Sequence, residues 1–266
     1  MSPVNHENYN EFIELFKKNN LHLSSPLVTY EDFKKITSAF DWRIASKKPV
    51  VGVFGTSPQQ GKFTTQLALR YELLREGYKV GQLGTEHQSA LFGFDFTFPN
   101  GYDGHQNIQI PMDYHITLLH SAMAGIENDE PHIVVVGGQS GLIPYSYAEK
   151  SQGYTLSSIL LLMGTIPDAY ILVVNSIDEI EFIQQNINVL KGLGKGETIL
   201  LVFSDKNKDI VTKYGRSTVT NRSMSNDEIA EFTKKLENHF KIPATEIISD
   251  HGRRKMLKAV EDYFAD

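Results

Sequence analysis

A lysine at the end of a glycine-bounded loop is the strongest chemical signal in this sequence. The loop, GTSPQQGK, spans residues 55–62, and no proline interrupts residues 63–77 after it. Backbone N–H groups that point into such a loop form an anion-binding nest, and the N-terminus of the following helix adds its positive dipole end. Lysine then supplies a full positive charge. Lys62 is therefore predicted to be a catalytic residue that stabilises charge on a transferring phosphate group.

The residues around this loop predict the elements that position it. The apolar run of residues 50–54 predicts a buried strand, leucines at roughly helical spacing predict a helix over residues 63–77, and the segment KVGQL predicts a second strand. Gly77 is placed to cap that helix at its C-terminus. A strand, a loop ending in Gly-Lys and a helix form the arrangement of a phosphate-binding P-loop. The alternative is a glycine-rich turn in another α/β protein that binds no ligand.

The motif predicts that the loop and the start of the helix bind a nucleotide, ATP or GTP, with Mg²⁺. The candidate contacts from the motif are Gly55, Ser57, Gln59, Gln60, Gly61, Lys62 and Phe63. Two positions depart from the strict pattern. Thr56 stands where the first glycine is usual, and Phe63 stands where a serine or threonine usually follows the lysine.

The strand predicted over Ile133–Val136 carries a third departure. In P-loop enzymes such a strand usually ends in an aspartate or glutamate that holds or orients Mg²⁺, whereas here it ends in Gly137. Glycine lets the backbone approach a phosphate closely but cannot ligate a cation. Either other groups hold Mg²⁺, or the site binds without efficient hydrolysis. Those other groups are Thr64, Thr65, Glu86 and Asp95, of which Thr64 is the predicted metal ligand.

Polar side chains after two strands are candidates for the substrate side of the site. In a parallel sheet, the residues that follow KVGQL lie at the carboxyl edge, where ligands bind in doubly wound folds. The predicted substrate contacts are Thr85, Glu86, Gln88 and Gln139, and Glu86 is also a predicted catalytic residue. Ordinary loop solvation is the alternative for Glu86 and Gln88. Residues 204–207, which follow a late strand, are candidates for reading the base, with a solvated polar turn as the alternative.

Composition limits the classes of protein to which the chain can belong. At 266 residues, it can bury one α/β core with a small appendage. The net charge of −6 and the pI near 5.9 predict binding neither to nucleic acid nor to an anionic membrane surface. The absence of cysteine excludes disulfides and Cys-ligated metals. No signal peptide is visible, and no apolar stretch is long enough to span a bilayer, so we expect a soluble, cytoplasmic protein.

Strand and helix patterns alternate along most of the chain. This alternation predicts a P-loop NTPase-like three-layer α/β fold with a mostly parallel sheet and right-handed crossovers. Residues 1–47 hold two amphipathic helix patterns, which predict a small helical appendage to a nucleotide-binding domain of residues 48–266. Residues 208–225 are polar and are expected to be mobile. The aromatic side chains of the appendage are expected to pack on the main domain, or else on a partner chain; they are Phe12, Phe16, Phe33, Phe40 and Trp42.

Three segments resemble a domain-of-unknown-function family of P-loop proteins that includes D-glutamate N-acetyltransferase. GTSPQQGKFTT resembles that family's GT-x-x-x-x-GK-x-TT loop, GGQSGLIP its EGQGSL-type segment, and IPDAYILVVN its PDA strand. The same segments more distantly resemble dethiobiotin synthetase. The departures are Phe63, Gly137 in place of the family's glutamate, and a short helical N-terminus in place of a Rossmann-like domain. The resemblance implies a homodimer, phosphate contacts at Thr56, Lys62, Thr64, Thr65 and Gly138, and substrate contacts at Thr85 and Glu86.

Three functions are compatible with these observations. The first is an enzyme that uses ATP to activate or phosphorylate a small carboxylate substrate of unidentified structure. The second is a non-hydrolysing nucleotide-binding switch or assembly module, which would use the N-terminal helices as its partner surface. The third, which the family resemblance permits, is an acyltransferase-like protein whose loop holds the phosphates of coenzyme A. The first ranks slightly ahead, because Glu86, Gln88 and Asp95 could supply contacts to metal or substrate.

Overall fold

A seven-stranded sheet forms the centre of the protein in a computed structural model. The model describes residue 11 and residues 14–21, 28–38, 46–99, 108–144, 156–213 and 216–265. The strands are β1 (Val50–Gly55), β2 (Val80–Gly84), β3 (Phe96–Thr97), β4 (Ile133–Gly137), β5 (Ala169–Val173), β6 (Glu197–Phe203), β7 (Lys206–Lys213), β8 (Arg216–Ser223) and β9 (Ala244–Glu246). Seven of them pair in the order β3-β2-β4-β1-β5-β6-β9, and every pairing in this sheet is parallel.

Helices cover both faces of this sheet. They are α1 (Tyr30–Thr37), α2 (Lys62–Arg75), α3 (His115–Glu127), α4 (Leu156–Thr165), α5 (Ile180–Leu193), α6 (Asn226–Phe240) and α7 (Asp250–Ala265), with short 3₁₀ turns at His87–Phe92 and Met112–Tyr114. Apolar residues of α2 and α7 pack on one face, and those of α3, α4, α5 and α6 pack on the other. The predicted three-layer α/β arrangement is confirmed.

The central strands are apolar on both faces because helices bury both. In β1, Val50, Val51, Val53 and Phe54 are all fully buried. Val51 and Val53 face α2 and α7, while Val50 and Phe54 join the core on the opposite face. Burial on both faces produces continuous apolar runs rather than an alternating pattern, which is why these strands are visible in the sequence.

The described part of the N-terminal region packs on the main domain. Helix α1 begins with a capping box, in which Thr29 and Asp32 exchange hydrogen bonds. Phe33 is buried and its ring lies 5.3 Å from that of Tyr114, while Val28 forms a parallel bridge to Ile108. The packing expected of the appendage is therefore found at Phe33. Phe12, Phe40 and Trp42 lie outside the described residues.

Residues 208–225, which we expected to be polar and mobile, contain strands in the structure, and their mobility stays a prediction. Strands β7 and β8 form a two-stranded antiparallel ribbon that pairs with no other strand of the described chain. Met224 N–H donates to Asp205 O at 2.7 Å where the ribbon returns to the domain. The guanidinium of Arg222 donates to the carboxylate of Glu228 at 2.6 and 3.0 Å. Those hydrogen bonds, with further ones from Ser225, lower the pKa of Glu228 to about 2.

None of the helices in the described residues is long and apolar enough to cross a membrane.

Candidate functional site

The loop between β1 and α2 lies at the carboxyl edge of the sheet, between strands β4 and β5. Thr56 N–H donates to Val173 O at 3.1 Å, and Gly138 N–H donates to Val53 O at 2.9 Å. Gly61 starts α2 from a left-handed conformation, with φ of 98°, which glycine adopts without steric cost. The predicted loop residues and Gly138 are thereby brought to one edge of the sheet.

The side chain of Gln60 fills the inside of this loop. Its Oε1 accepts a hydrogen bond from Ser57 N–H at 3.0 Å, and its Nε2 donates to Thr56 Oγ1 at 2.5 Å. A Cβ at Gly55 would lie 2.9 Å from both Gln60 Oε1 and Lys62 Cδ, so glycine at this position leaves room for both side chains. The Gln60 amide oxygen therefore takes up a backbone N–H of the loop that would otherwise be available to a phosphate oxygen.

Lys62 holds its charge inside the loop. The side chain is buried, and its Nζ donates to Ser57 O at 2.6 Å. A buried ammonium group is costly unless hydrogen-bond acceptors or anions surround it. Its position at the N-terminus of α2, where backbone N–H groups also point outward, is suited to an anionic ligand.

A buried acid, Asp178, fixes the start of the loop, and sequence reasoning missed it. Its Oδ2 accepts from Thr56 Oγ1 at 2.5 Å and from Asn175 N–H at 2.7 Å, while Asn175 Nδ2 donates to Ser57 Oγ at 3.1 Å. Asn175 and Asp178 follow the buried strand β5. The rule that singled out Thr85 and Glu86 after β2 would also have found these two residues.

The structure does not assemble the usual ligands of a metal ion. The ring of Phe63 packs 5.5 Å from Phe92 and 5.7 Å from Phe94. Thr64 is exposed in the first turn of α2, whereas Thr65 Oγ1 donates to Gly61 O at 2.9 Å. Among the residues that the structure describes, no group of three His, Asp or Glu side chains could hold a metal ion.

Asp95 is also occupied by the backbone. Its Oδ2 accepts a hydrogen bond from Gln82 N–H, in the middle of β2, at 2.7 Å. Of the oxygen groups suggested for Mg²⁺, Thr65 and Asp95 hydrogen-bond to the backbone and Glu86 accepts from Gln139 Nε2 at 2.9 Å. Exposed Thr64 therefore remains as the candidate ligand.

Gln66 lies against Gly137, the residue that replaces the usual strand-end acid. A Cβ built at Gly137 would lie 1.9 Å from Gln66 Cδ. The Gln66 side chain is only 1% exposed, and neither Oε1 nor Nε2 has a hydrogen-bond partner in the described chain. Sequence reasoning missed Gln66, although it lies four residues after Lys62 and thus on the same side of α2.

Three of the four predicted substrate contacts meet at the ends of β2 and β4. Buried Thr85 donates through Oγ1 to Gly137 O at 3.1 Å. Gln139 Nε2 donates to Glu86 Oε2 at 2.9 Å, which fixes the half-buried carboxylate of Glu86. Gln88 is exposed. The structure thus places Thr85, Glu86 and Gln139 together beside the loop.

The candidate base-reading segment, residues 204–207, is connected to the loop through the residues that follow β5. Ser176 Oγ donates to Asn207 Oδ1 at 2.6 Å, and the neighbouring Asn175 contacts Ser57. Lys206 Nζ is held by Asp205 at 3.1 Å and by Ser223 at 2.8 Å. Among these residues, Asn207 is the one tied to the loop after β5.

The position of Gln60 leads to a testable prediction. Because the Gln60 side chain competes for Ser57 N–H, we expect Gln60→Ala to tighten binding of a phosphate ligand by about 2- to 10-fold, the range that one neutral hydrogen bond gives. Gln60→Glu keeps the shape but adds a negative charge, and should weaken binding. Calorimetric titration with ATP measures both. Weaker binding by Gln60→Ala would mean that Gln60 contacts the ligand instead of competing with it.

Comparison with known proteins supports the fold and the loop. A family model described as "Domain of unknown function (DUF1611_C) P-loop domain" matches residues 38–257. A solved structure of a DUF1611 family protein from Anabaena variabilis has a TM-score of 0.59 at 16% identity, over 84% of this chain and 62% of that one. The chain therefore spans less than two thirds of that relative. A search of curated proteins finds no match.

Two further solved structures are similar at a lower level. They are a LAO/AO transport system kinase, with a TM-score of 0.49 at 14% identity over 88% of this chain and 63% of that one, and a nucleotide-binding protein in complex with ADP from Archaeoglobus fulgidus, with a TM-score of 0.43 at 14% identity over 89% and 94%. Neither similarity is close enough to argue function. The match to the P-loop domain family model, together with the parallel sheet, confirms the predicted P-loop NTPase-like fold.

Proposed function

This chain belongs to the DUF1611 P-loop domain family, and on that premise we propose that it binds a nucleoside triphosphate at residues 55–65 and transfers the terminal phosphoryl group to a small carboxylate substrate. The observation that carries the proposal is the buried ammonium of Lys62, held 2.6 Å from Ser57 O at the N-terminus of α2. A fixed cation and convergent backbone N–H groups stabilise charge on a transferring phosphoryl group.

The proposed reaction has two reactants, the nucleotide and the carboxylic acid substrate. A carboxylate oxygen of the substrate attacks the terminal phosphorus, the bond from that phosphorus to the bridging oxygen breaks, and ADP leaves with the electron pair. The products are an acyl phosphate and ADP. Since Gly137 offers no carboxylate to orient a water molecule, a bound substrate is a better nucleophile here than water.

The substrate would lie over the ends of β2 and β4. Glu86, fixed by Gln139 at 2.9 Å, is an anionic acceptor, so it repels the substrate's carboxylate and attracts a donor group such as an ammonium. Binding the donor group at Glu86 would direct the carboxylate toward the phosphate. We therefore favour a small acid that also carries a hydrogen-bond donor, with Thr85 at the same edge.

Magnesium would fit here chiefly through the nucleotide. Mg²⁺ prefers oxygen ligands, keeps several waters and commonly binds through substrate phosphates with one or two protein groups. The exposed hydroxyl of Thr64 is the protein group proposed to hold it. When bound, it would neutralise charge on the phosphates. The amide of Gln66, which has no hydrogen-bond partner in the described part of the chain, is a further polar group at this edge.

The experiment is a search for acid-dependent ADP formation. Purified protein is incubated with ATP, Mg²⁺ and a panel of amino acids and dicarboxylates, ADP is followed by a coupled assay, and hydroxylamine traps any acyl phosphate. We expect one class of acid to raise ADP formation above the rate in water alone. Lys62→Ala should abolish that increase, and Glu86→Gln should reduce it. ATP binding with no acid-dependent ADP formation would overturn the proposal.

A nucleotide-binding switch or assembly module is the second candidate, and Gly137 is the observation that favours it. Loss of the strand-end acid is tolerable where turnover is slow or absent. This candidate predicts that ATP changes the assembly state, which light scattering measures, without any acid-dependent turnover. A homodimer is the partner that we propose in either case, and the cytoplasm is the proposed location. Preference for coenzyme A over ATP in titrations would favour an acyltransferase-like protein.

A further inference from the structure

Gln66 and Gly137 form a matched pair at the centre of the site. Gly137 ends β4 and pairs in register with Val53 of β1 and Gly84 of β2. It therefore lies between the strand that leads into the loop and the strand that leads to Glu86. The Gln66 side chain, from α2, occupies the space that a side chain at position 137 would need, since a Cβ there would lie 1.9 Å from Gln66 Cδ.

The amide of Gln66 has no hydrogen-bond partner among the described residues. The side chain is 1% exposed, and neither of its polar atoms has a hydrogen bond in the part of the chain that the structure describes. An unpaired buried amide costs free energy that an apolar side chain of similar size would avoid. A polar residue in such a place indicates a partner that arrives with a ligand.

We propose that Gln66 takes the place of the missing strand-end acid. Its amide oxygen accepts a hydrogen bond from the water shell of a magnesium ion bound to the nucleotide's phosphates, and so positions those phosphates against Lys62. The inference rests on the proposed nucleotide site. Gln66 is a positioning residue, because it acts through water. Its amide is neutral, so Mg²⁺ should strengthen nucleotide binding less than it would with an acid at this place.

The test measures how much Mg²⁺ strengthens binding of a non-hydrolysable ATP analogue. For each variant, calorimetry gives the ratio of dissociation constants without and with Mg²⁺. We expect Gln66→Leu, which keeps the volume, to lower this ratio by about 2- to 10-fold while leaving binding without Mg²⁺ unchanged. Gln66→Glu, which keeps the shape and adds charge, should raise the ratio above that of the unmodified protein.

An exchanged pair provides a stricter control. Gly137→Asp alone places a side chain against Gln66 and should lower the melting temperature, whereas Gly137→Asp combined with Gln66→Ala makes room for the acid. Gln66→Ala alone, like Gln66→Leu, should lower the Mg²⁺ ratio, and the double variant should recover both the melting temperature and that ratio. A purely structural role for Gln66 predicts recovery of the melting temperature with no effect on the ratio, which would overturn the inference.

The outcomes separate this inference from the proposed function. If the analogue does not bind with or without Mg²⁺, the nucleotide site and the inference both fail. If it binds, and Lys62→Ala weakens binding while Gln66→Leu and Gln66→Glu leave the ratio unchanged, only the inference fails. Should Gln66→Leu not fold, Gln66→Glu decides alone, since an unchanged ratio in that variant contradicts the role assigned to Gln66.

Discussion

Replacing Lys62 by alanine is expected to weaken ATP binding by about 10- to 100-fold, because hydrogen bonds between charged groups contribute about 1.5–3 kcal/mol each. The ammonium lies buried in the loop, 2.6 Å from Ser57 O. When a phosphate binds, its negatively charged oxygen would replace that carbonyl as the acceptor. Few water molecules can screen a charge held there, so its loss is not compensated by solvent. Calorimetric titration with ATP and with GTP measures the effect.

Two further variants show whether the loss is specific. Lys258 is exposed and pairs with Asp262 at 3.0 Å on α7, so Lys258→Ala should leave affinity unchanged while altering net charge equally. Lys62→Arg keeps the charge but carries a larger, forked group, so its affinity should fall between those of Lys62→Ala and the unmodified protein. Unchanged affinity of Lys62→Ala for ATP, GTP and coenzyme A would refute the assignment of residues 55–62 as a phosphate-binding loop.

The regular elements of the core were predictable because their patterns are strong and local. The strand predicted over residues 50–54 is found as β1, the helix predicted over residues 63–77 is found as α2, and the strand predicted over Ile133–Val136 is found as β4. The ribbon of β7 and β8 was not predictable in this way. Its sequence is mostly polar, and Ile210, Val211 and Val219 do not form an apolar alternation that would mark a strand. Its pairing depends on backbone hydrogen bonds with a partner strand.

The candidate site likewise contains some residues that a local pattern identifies and others that only distant contacts reveal. The loop could be identified because the glycines and Lys62 are close in sequence. The rule for polar residues after a parallel strand would have found Asp178, but it would not have shown that Asp178 accepts a hydrogen bond from Thr56, 122 positions earlier in the chain. Gln66 could not be identified, since it packs on Gly137, which belongs to another element. The glycine at 137 signalled a missing acid in the sequence, but only packing shows which side chain occupies that space.

Replacing Asp178 by alanine is expected to lower the free energy of unfolding by about 2–4 kcal/mol, because several buried hydrogen-bond donors lose their acceptor at once. Thr56 Oγ1 and Asn175 N–H both donate to Asp178 Oδ2, at 2.5 and 2.7 Å, in a part of the core closed to water. Urea unfolding measures the change. Glu179→Ala, at the exposed neighbouring acid, is the matched control and should change stability by less than about 0.5 kcal/mol.

The same substitution should also weaken ATP binding, because Asp178 fixes the loop from two directions. It holds Thr56 directly, and it holds Asn175, whose side chain donates to Ser57 Oγ at 3.1 Å. Without it, Thr56 and Ser57 lose the contacts that preorganise the loop, and binding must then order them. Asp178→Asn keeps the side-chain shape and an acceptor oxygen, so it should lose less stability and less affinity for ATP than Asp178→Ala. Equal stability and affinity in Asp178→Ala and Glu179→Ala would show that the loop is held by its backbone contacts alone, namely those of Thr56 to Val173 and of Gly138 to Val53.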